Sequence, residues 1–321
     1  MTDNMNTISF SPQQVQRLAL DMIDGLRKSA GGGITSGIPD LDKILLPFRP
    51  GELITVLGRP SNYKSGFMNW LSKQAIDDIS EDNEIVVRVT WEQSVEEDTL
   101  SWLAGDADLS VTKMARGMVD EKEWKLLQVS AMHRAVTPMW IIGHSQQENS
   151  ERRRARPRMT MTDVNNAIEY IVNDATAQKL KIKMVVLDYL QRIRTDQNDG
   201  YDRRTQMISV VDQCKDLAIS FGCPVVLGVQ AGRQVDERDE KMPRMDDGQE
   251  TSNIEQSSDK MFGLWYPIKT EETGSFVHGE IVGKNLLFVR LLKQKMGEAS
   301  KTFRLYVDPE KNKLGGVDNL R

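Results

Sequence analysis

Residues 52–66, Glu-Leu-Ile-Thr-Val-Leu-Gly-Arg-Pro-Ser-Asn-Tyr-Lys-Ser-Gly, carry the most legible chemistry of this chain. An apolar run ends at Gly58, a short polar loop follows, and Lys64-Ser65 opens a helical stretch. The pattern Gly-x-x-x-x-Gly-Lys-Ser/Thr cradles phosphates. Backbone N–H groups surround the anion, the Lys reaches the β- and γ-phosphates, and the hydroxyl binds Mg²⁺. Gly58, Arg59, Pro60, Ser61, Asn62, Tyr63, Lys64, Ser65 and Gly66 form the expected phosphate-contacting set, with Ser65 a Mg²⁺ ligand. Tyr63 stands where the pattern has Gly. Tyrosine resists the positive φ that glycine accepts, at a strain of roughly 1–3 kcal/mol. Either the loop takes a different path or binding is weakened.

Three further apolar runs end in residues that suit the same chemistry. Met184-Val185-Val186-Leu187-Asp188 ends in a carboxylate able to hold Mg²⁺ through water. Val86-Val87-Arg88-Val89-Thr90-Trp91-Glu92 ends in a carboxylate able to act on a water near the γ-phosphate. Val225-Val226-Leu227-Gly228-Val229-Gln230 ends in an amide that can touch that phosphate or its water. Taken singly, Asp188 also reads as a turn cap, Glu92 as a solvated surface residue and Gln230 as an ordinary strand end. The phosphate loop gives the set its weight.

The elements that position these residues alternate along the chain. Strands are expected at 52–58, 85–90, 138–142, 183–188, 225–230, 261–265 and 286–292. Helices are expected at 64–78, 95–104, 162–178 and 206–221. Continuous apolar strands require cover on both faces. The predicted fold class is therefore α/β, a mostly parallel sheet flanked by helices, with ligands beyond the carboxyl ends of the strands. Residues 11–29 predict an amphipathic helix, capped by Ser11, with Pro12 in its first turn. Gly31-Gly32-Gly33 then breaks it. The expected division is an arm at 1–32 and one domain at 33–321.

Composition narrows the classes. Hydrophobic residues make up 39% and charged residues 28% of the 321, a globular balance. No apolar run approaches the ~20 residues of a membrane span, and Met1–Phe10 lacks a signal-peptide core, so the cytoplasm is the expected compartment. Cys214 and Cys223 read as small buried residues. A net charge of −5 means that any nucleic-acid binding must come from a local basic surface.

The ordered strand ends resemble the RecA-type ATPase core, and more closely the ATPase domain of DnaB-type replicative helicases. Gly37-Ile38-Pro39-Asp40-Leu41-Asp42, Leu187-Asp188-Tyr189-Leu190-Gln191, Ser252-Asn253-Ile254-Glu255-Gln256 with Asp259, and Lys293-Gln294-Lys295 carry the likeness alongside the loop. The resemblance implies a ring, usually of six subunits, that hydrolyses ATP with Mg²⁺ and moves along single-stranded DNA. It implies catalytic roles for Lys64, Glu92 and Gln230, nucleotide and metal contacts for Asp188, and Lys293 and Lys295 set against the neighbour's γ-phosphate. The second of these is usually Arg in that family, and Gln249 also stands where the family tends to have Arg. The family's N-terminal helical domain, which meets primase, has no room here; residues 11–29 resemble only its linker helix, which packs on the adjacent subunit. A replication partner or loader is implied on the same grounds. Channel loops after Asp188 and Gln230 would offer DNA Arg192, Arg194, Arg203 and Arg204, and Arg233 and Arg244. Residues 152–158 hold five Arg and form a second basic candidate. With Tyr63 and Lys295 departing from the pattern, a catalytically weakened scaffold or loader is the alternative.

Overall fold

The computed structural model describes residues 9–28, 32–151, 159–173, 179–194, 202–248 and 253–316. The basic stretch 152–158, Tyr201 and Gln249 lie outside them. One large sheet runs in the order β11-β10-β9-β6-β1-β5-β4-β2-β3. Its strands are β1 (Leu53–Gly58), β2 (Glu84–Thr90), β3 (Met139–Ile142), β4 (Lys181–Asp188), β5 (Val225–Gln230), β6 (Lys260–Trp265), β9 (Leu286–Gln294), β10 (Thr302–Asp308) and β11 (Lys313–Gly316). A separate hairpin pairs β7 (Phe276–Val277) with β8 (Glu280–Ile281).

From β6 to β3 the strands are parallel; β9, β10 and β11 then continue the sheet antiparallel beyond β6. All seven expected strands are present. The expectation of a mostly parallel sheet holds for its central part, while β10 and β11 went unforeseen. Their side chains alternate between half-exposed and buried, so they lack the continuous apolar run that marks β1 or β5.

The helices are α1 (Pro12–Lys28), α2 (Pro39–Asp42), α3 (Lys64–Asp77), α4 (Val95–Ala107), α5 (Val111–Ala115), α6 (Glu121–Ala135), α7 (Gln146–Glu151), α8 (Met161–Asn173), α9 (Arg203–Phe221) and α10 (Asn253–Ser257). The sheet has a core on each face, which explains the uninterrupted apolar strands. Leu53 and Leu57 join Val87, Val89, Val185 and Leu187 beneath α8 and α9. Ile54 and Val56 join Val86, Met184 and Val186 beneath α3, with Phe67, Met68 and Leu71 supplied by that helix. Cys214 and Cys223 are buried, as expected.

Helix α1 matches its expected span. Gln14 N donates to Ser11 Oγ, and Ser11 N donates to the Gln14 amide oxygen, a reciprocal cap. None of its residues is buried; Val15, Leu18, Met22 and Ile23 stand exposed. Among the described residues no helix is long and apolar enough to cross a membrane.

Candidate nucleotide site

The carboxyl ends of four neighbouring strands meet at one edge of the sheet. Gly58 on β1 lies in register with Gln230 on β5, Leu187 on β4 with Leu227 on β5, and Thr90 on β2 with Asp188 on β4. Gly58, Gln230, Asp188 and Glu92 therefore emerge side by side, although Gly58 and Gln230 stand far apart in the sequence. The sequence placed each at a strand end; the sheet order makes them neighbours.

The loop between β1 and α3 is fixed from several sides. The Arg59 guanidinium grips both oxygens of Asp236 at 2.6–3.0 Å and donates to Ala231 O at 2.9 Å. The Asn62 side-chain oxygen accepts from Tyr266 N at 2.7 Å. Tyr63 sits in the left-handed region, with φ 62° and ψ 23°, as the residue preceding α3. It adopts the conformation that the pattern reserves for glycine, so the chain keeps the loop path at a cost of about 1–2 kcal/mol. The ring finds compensation. Its hydroxyl donates to Lys313 O at 3.0 Å, Tyr266 packs at 6.3 Å, and Gly66 leaves room where a Cβ would lie 2.4 Å from the ring. Of the two alternatives for Tyr63, a changed path is the one the structure contradicts.

Lys64 opens α3 and folds back over its own loop. Its amine donates to Gly58 O at 2.9 Å and Arg59 O at 3.0 Å. A Cβ on Gly58 would crowd the Lys64 stem at 3.2 Å. Burial pulls the amine down to about 8 from its ordinary 10.5; Asp188 and Glu92 oppose that shift and Arg59 adds to it. A buried cation whose hydrogen-bond partners are neutral carbonyls, beside a helix start whose first-turn N–H groups have no helical acceptor, fits an anion. Ser65 lies in that first turn, and Asp188 is 8% exposed at the end of β4. Hydroxyl and carboxylate are the hard donors Mg²⁺ accepts when substrate phosphates and water complete its shell. The residues present fit a Mg-nucleotide.

Glu92 is exposed and lies 3.5 Å from the Arg192 guanidinium, which also donates to the Tyr189 hydroxyl at 3.2 Å. Arg192, expected to contact DNA, thus faces the expected water-activating carboxylate. The backbone of Gln230 is clasped by the Gln191 amide: Gln230 N donates to Gln191 Oε1 at 3.1 Å, and Gln191 Nε2 donates to Gln230 O at 3.3 Å. Arg203 turns inward and donates to Gln191 O at 2.8 Å. Arg194, Arg204, Arg233 and Arg244 are exposed.

Lys293 and Lys295 lie at the other end of β1. Lys293 is in register with Met261 and donates to Glu255 O at 2.5 Å; Lys295 pairs with Asp259 Oδ1 at 2.6 Å. Asp259 Oδ2 accepts from Leu53 N and Lys215. The six residues of β1, Leu53 to Gly58, separate the two ends by roughly 17 Å at about 3.3 Å per residue. These lysines are outside reach of their own chain's phosphate loop.

Sequence reading missed Arg88, Asp98, Asp236 and the Gln191 clasp. Arg88 did leave a signal, a lone charge inside the apolar run Val86-Val87-Arg88-Val89. The partners left none, because they come from distant elements.

Residues 33–313 match the family described as DnaB-like helicase C terminal domain. The chain is 27% identical over 298 residues to the replicative DNA helicase DnaB of Haemophilus influenzae, covering 88% of this chain and 59% of that protein. It is 23% identical over 318 residues to the replicative DNA helicase DnaC of Bacillus subtilis, covering 98% and 63%. The chain therefore spans less than two thirds of the length of these relatives. Among solved structures, a phosphate-loop fold described as an ATPase domain superposes with a TM-score of 0.77 at 18% identity, over 96% of this chain and 100% of that one. A DnaB-like replicative helicase, solved with its interactions with primase, gives 0.73 at 20% identity, over 93% and 66%. These likenesses establish a RecA-like helicase ATPase fold, and this chain belongs to the DnaB-like helicase C-terminal domain family.

Proposed function

We propose that the chain is the motor body of a ring-forming ATPase, of six subunits, that hydrolyses Mg-ATP to move along single-stranded DNA and separate duplex strands. The carrying observation is the single sheet edge that gathers Lys64, Ser65, Asp188, Glu92 and Gln230. Lys64 and the start of α3 hold the phosphates, and Ser65 and Asp188 hold Mg²⁺, which supplies charge neutralisation at the transferring phosphate. Glu92 orients and polarises the attacking water, with Arg192 beside it. Gln230 senses the phosphate, and the Gln191 clasp links it to the segment preceding α9. Lys293 and Lys295 serve the neighbouring subunit's site. Residues 1–32 act as an arm that packs on that neighbour, and 33–321 as the ATPase domain. Arg194, Arg204, Arg233 and Arg244 face the DNA backbone.

The test is ATP turnover with and without single-stranded DNA, for the wild type and Lys64→Ala. DNA-stimulated turnover in the wild type alone supports the motor; none in either removes it. A second reading, a nucleotide-dependent scaffold or loader, is supported by Tyr63 in place of glycine and by Lys295, which lacks the planar fork of arginine. Native mass measurements separate the two. Assembly on nucleotide without steady hydrolysis favours the scaffold.

A further inference from the structure

Beneath the proposed metal site lies a charge that no part of that reading uses. Arg88, on β2, is fully buried, and Asp98 and Asp188 are buried with it, at 1% and 8% exposure. Its Nε donates to both oxygens of Asp98, at 2.8 and 3.0 Å, and its Nη2 donates to Asp188 Oδ2 at 3.3 Å. Its Nη1 is buried with no partner among the described residues. One guanidinium thus joins two carboxylates from separate elements, Asp98 from α4 and Asp188 from β4.

The fold alone gives little reason for such a group. Three charges taken out of water cost several kcal/mol each before pairing, and well-packed apolar residues of similar volume often serve stability as well or better. Here the arrangement is also incomplete, since one donor is left unsatisfied. Position supplies the reason. Asp188 ends β4 at the nucleotide edge, and Arg88 takes one of its two oxygens from below. That fixes the carboxylate's rotation and leaves the other oxygen for the site. Asp98 lies one turn into α4, a helix that starts just after Glu92. Ser94 caps this helix through a reciprocal pair with Glu97, so the start of α4 and the Glu92 segment are rigidly joined. The same guanidinium therefore ties the carboxylate that holds the metal to the helix that follows the water-activating carboxylate.

We propose that Arg88 is a positioning residue that sets Asp188 against the Glu92–α4 segment, so that the nucleotide's Mg²⁺ and the attacking water keep one relative geometry. This rests on the Mg-nucleotide reading of the site. Arg88 touches neither substrate nor metal; it acts through the two aspartates.

The experiment compares wild type with Arg88→Leu/Asp98→Leu, in which an apolar pair replaces the ion pair, and with Asp98→Asn, which keeps Arg88 on Asp188 and loosens its hold on α4. ADP binding is measured by calorimetry in EDTA and in saturating Mg²⁺, together with thermal unfolding and steady-state ATP turnover. The double variant is expected to unfold cooperatively and to bind ADP in EDTA as the wild type does. Its gain in affinity on adding Mg²⁺ falls about 10- to 100-fold, the usual loss when a group orienting a metal ligand is removed. Asp98→Asn is expected to keep the Mg²⁺ gain within about twofold while kcat falls several-fold, because its defect lies at Glu92. A double variant with the wild-type Mg²⁺ gain, or an Asp98→Asn with wild-type kcat, overturns the proposal and leaves the nucleotide site standing. If the wild type itself binds no Mg-ADP, the nucleotide reading falls first and this inference falls with it. Should the double variant fail to fold, Asp98→Asn decides alone by its kcat.

Discussion

The two ends of β1 present opposite arrangements of positive charge. At the carboxyl end, Lys64 is buried and donates to the carbonyls of Gly58 and Arg59, with its proton weakened by burial. At the amino end, Lys295 is 56% exposed at its side chain and neutralised by Asp259, which also takes Lys215. The first cation has no ion-paired carboxylate among the described residues; the second has one and lies near the surface. A site that needs both cannot be completed within one subunit. Head-to-tail contact brings the amino end of one β1 against the carboxyl end of the next, and such contacts close into rings or continue as filaments. The contrast supports hydrolysis at subunit boundaries, with Asp259 holding Lys295 until a stronger anion arrives.

The hardest blow to this contrast is Lys64→Ala. Loss of the buried cation should lower kcat by about 10²- to 10³-fold, in line with removal of one preorganised charge-stabilising donor, read as phosphate release with single-stranded DNA present. Wild-type rates would erase the distinction between the two ends. Lys295→Ala sharpens it. Turnover should fall by about tenfold or more while ADP affinity holds. Mixing it with Lys64→Ala should restore activity, because about a quarter of randomly formed boundaries then pair an intact Lys64 with an intact Lys295. No recovery on mixing would place both groups in one subunit's site, against the geometry.

Proton linkage gives a subtler test. Lys64 in the nucleotide-free fold titrates at about 8, below its ordinary 10.5, so ATP affinity should decline as pH rises through 8, by up to about tenfold per unit. The unfolded chain keeps that proton to higher pH. The stability of the nucleotide-free fold therefore gains from this group as pH rises from about 8 to 10.5. Lys64→Arg stays charged and should bind ATP with a flat profile across the same range; equal declines in both would assign the effect elsewhere. The smallest expected effect is Tyr63→Gly. It relieves about 1–2 kcal/mol of left-handed strain but gives up the ring's burial and the bond to Lys313 O, together worth more. Urea unfolding should show a net destabilisation of about 1–2 kcal/mol. A stabilised variant would mean that the ring contributes nothing to holding the loop.

Much of this architecture could be read in advance, for identifiable reasons. Runs such as Val225–Val229 have no polar face, so they must be covered on both sides, and that alone implies helices above and below a parallel sheet. Ser94 with Glu97 and Asp120 with Glu123 mark the starts of α4 and α6 by reciprocal capping, yet α6 went unpredicted. Its apolar residues Trp124, Leu126, Val129 and Met132 are exposed rather than gathered on one buried face. The antiparallel flank escaped because β10 is only half buried. Arg192 and Arg203 were expected among the DNA contacts; their turn toward Glu92 and Gln191 depends on where two separate segments pass one another.

Composition and spacing by themselves determined that Gly58, Lys64, Ser65, Asp188, Glu92 and Gln230 each end a strand or begin a helix, because apolar runs and caps are local properties of the chain. Only the tertiary structure decided that these ends are adjacent, that Tyr63 occupies a glycine's conformation, that Arg88 bridges Asp98 to Asp188, and that Lys293 and Lys295 lie at the far end of β1. Strand order and side-chain contact are set by which surfaces bury one another, and that depends on residues far apart in sequence.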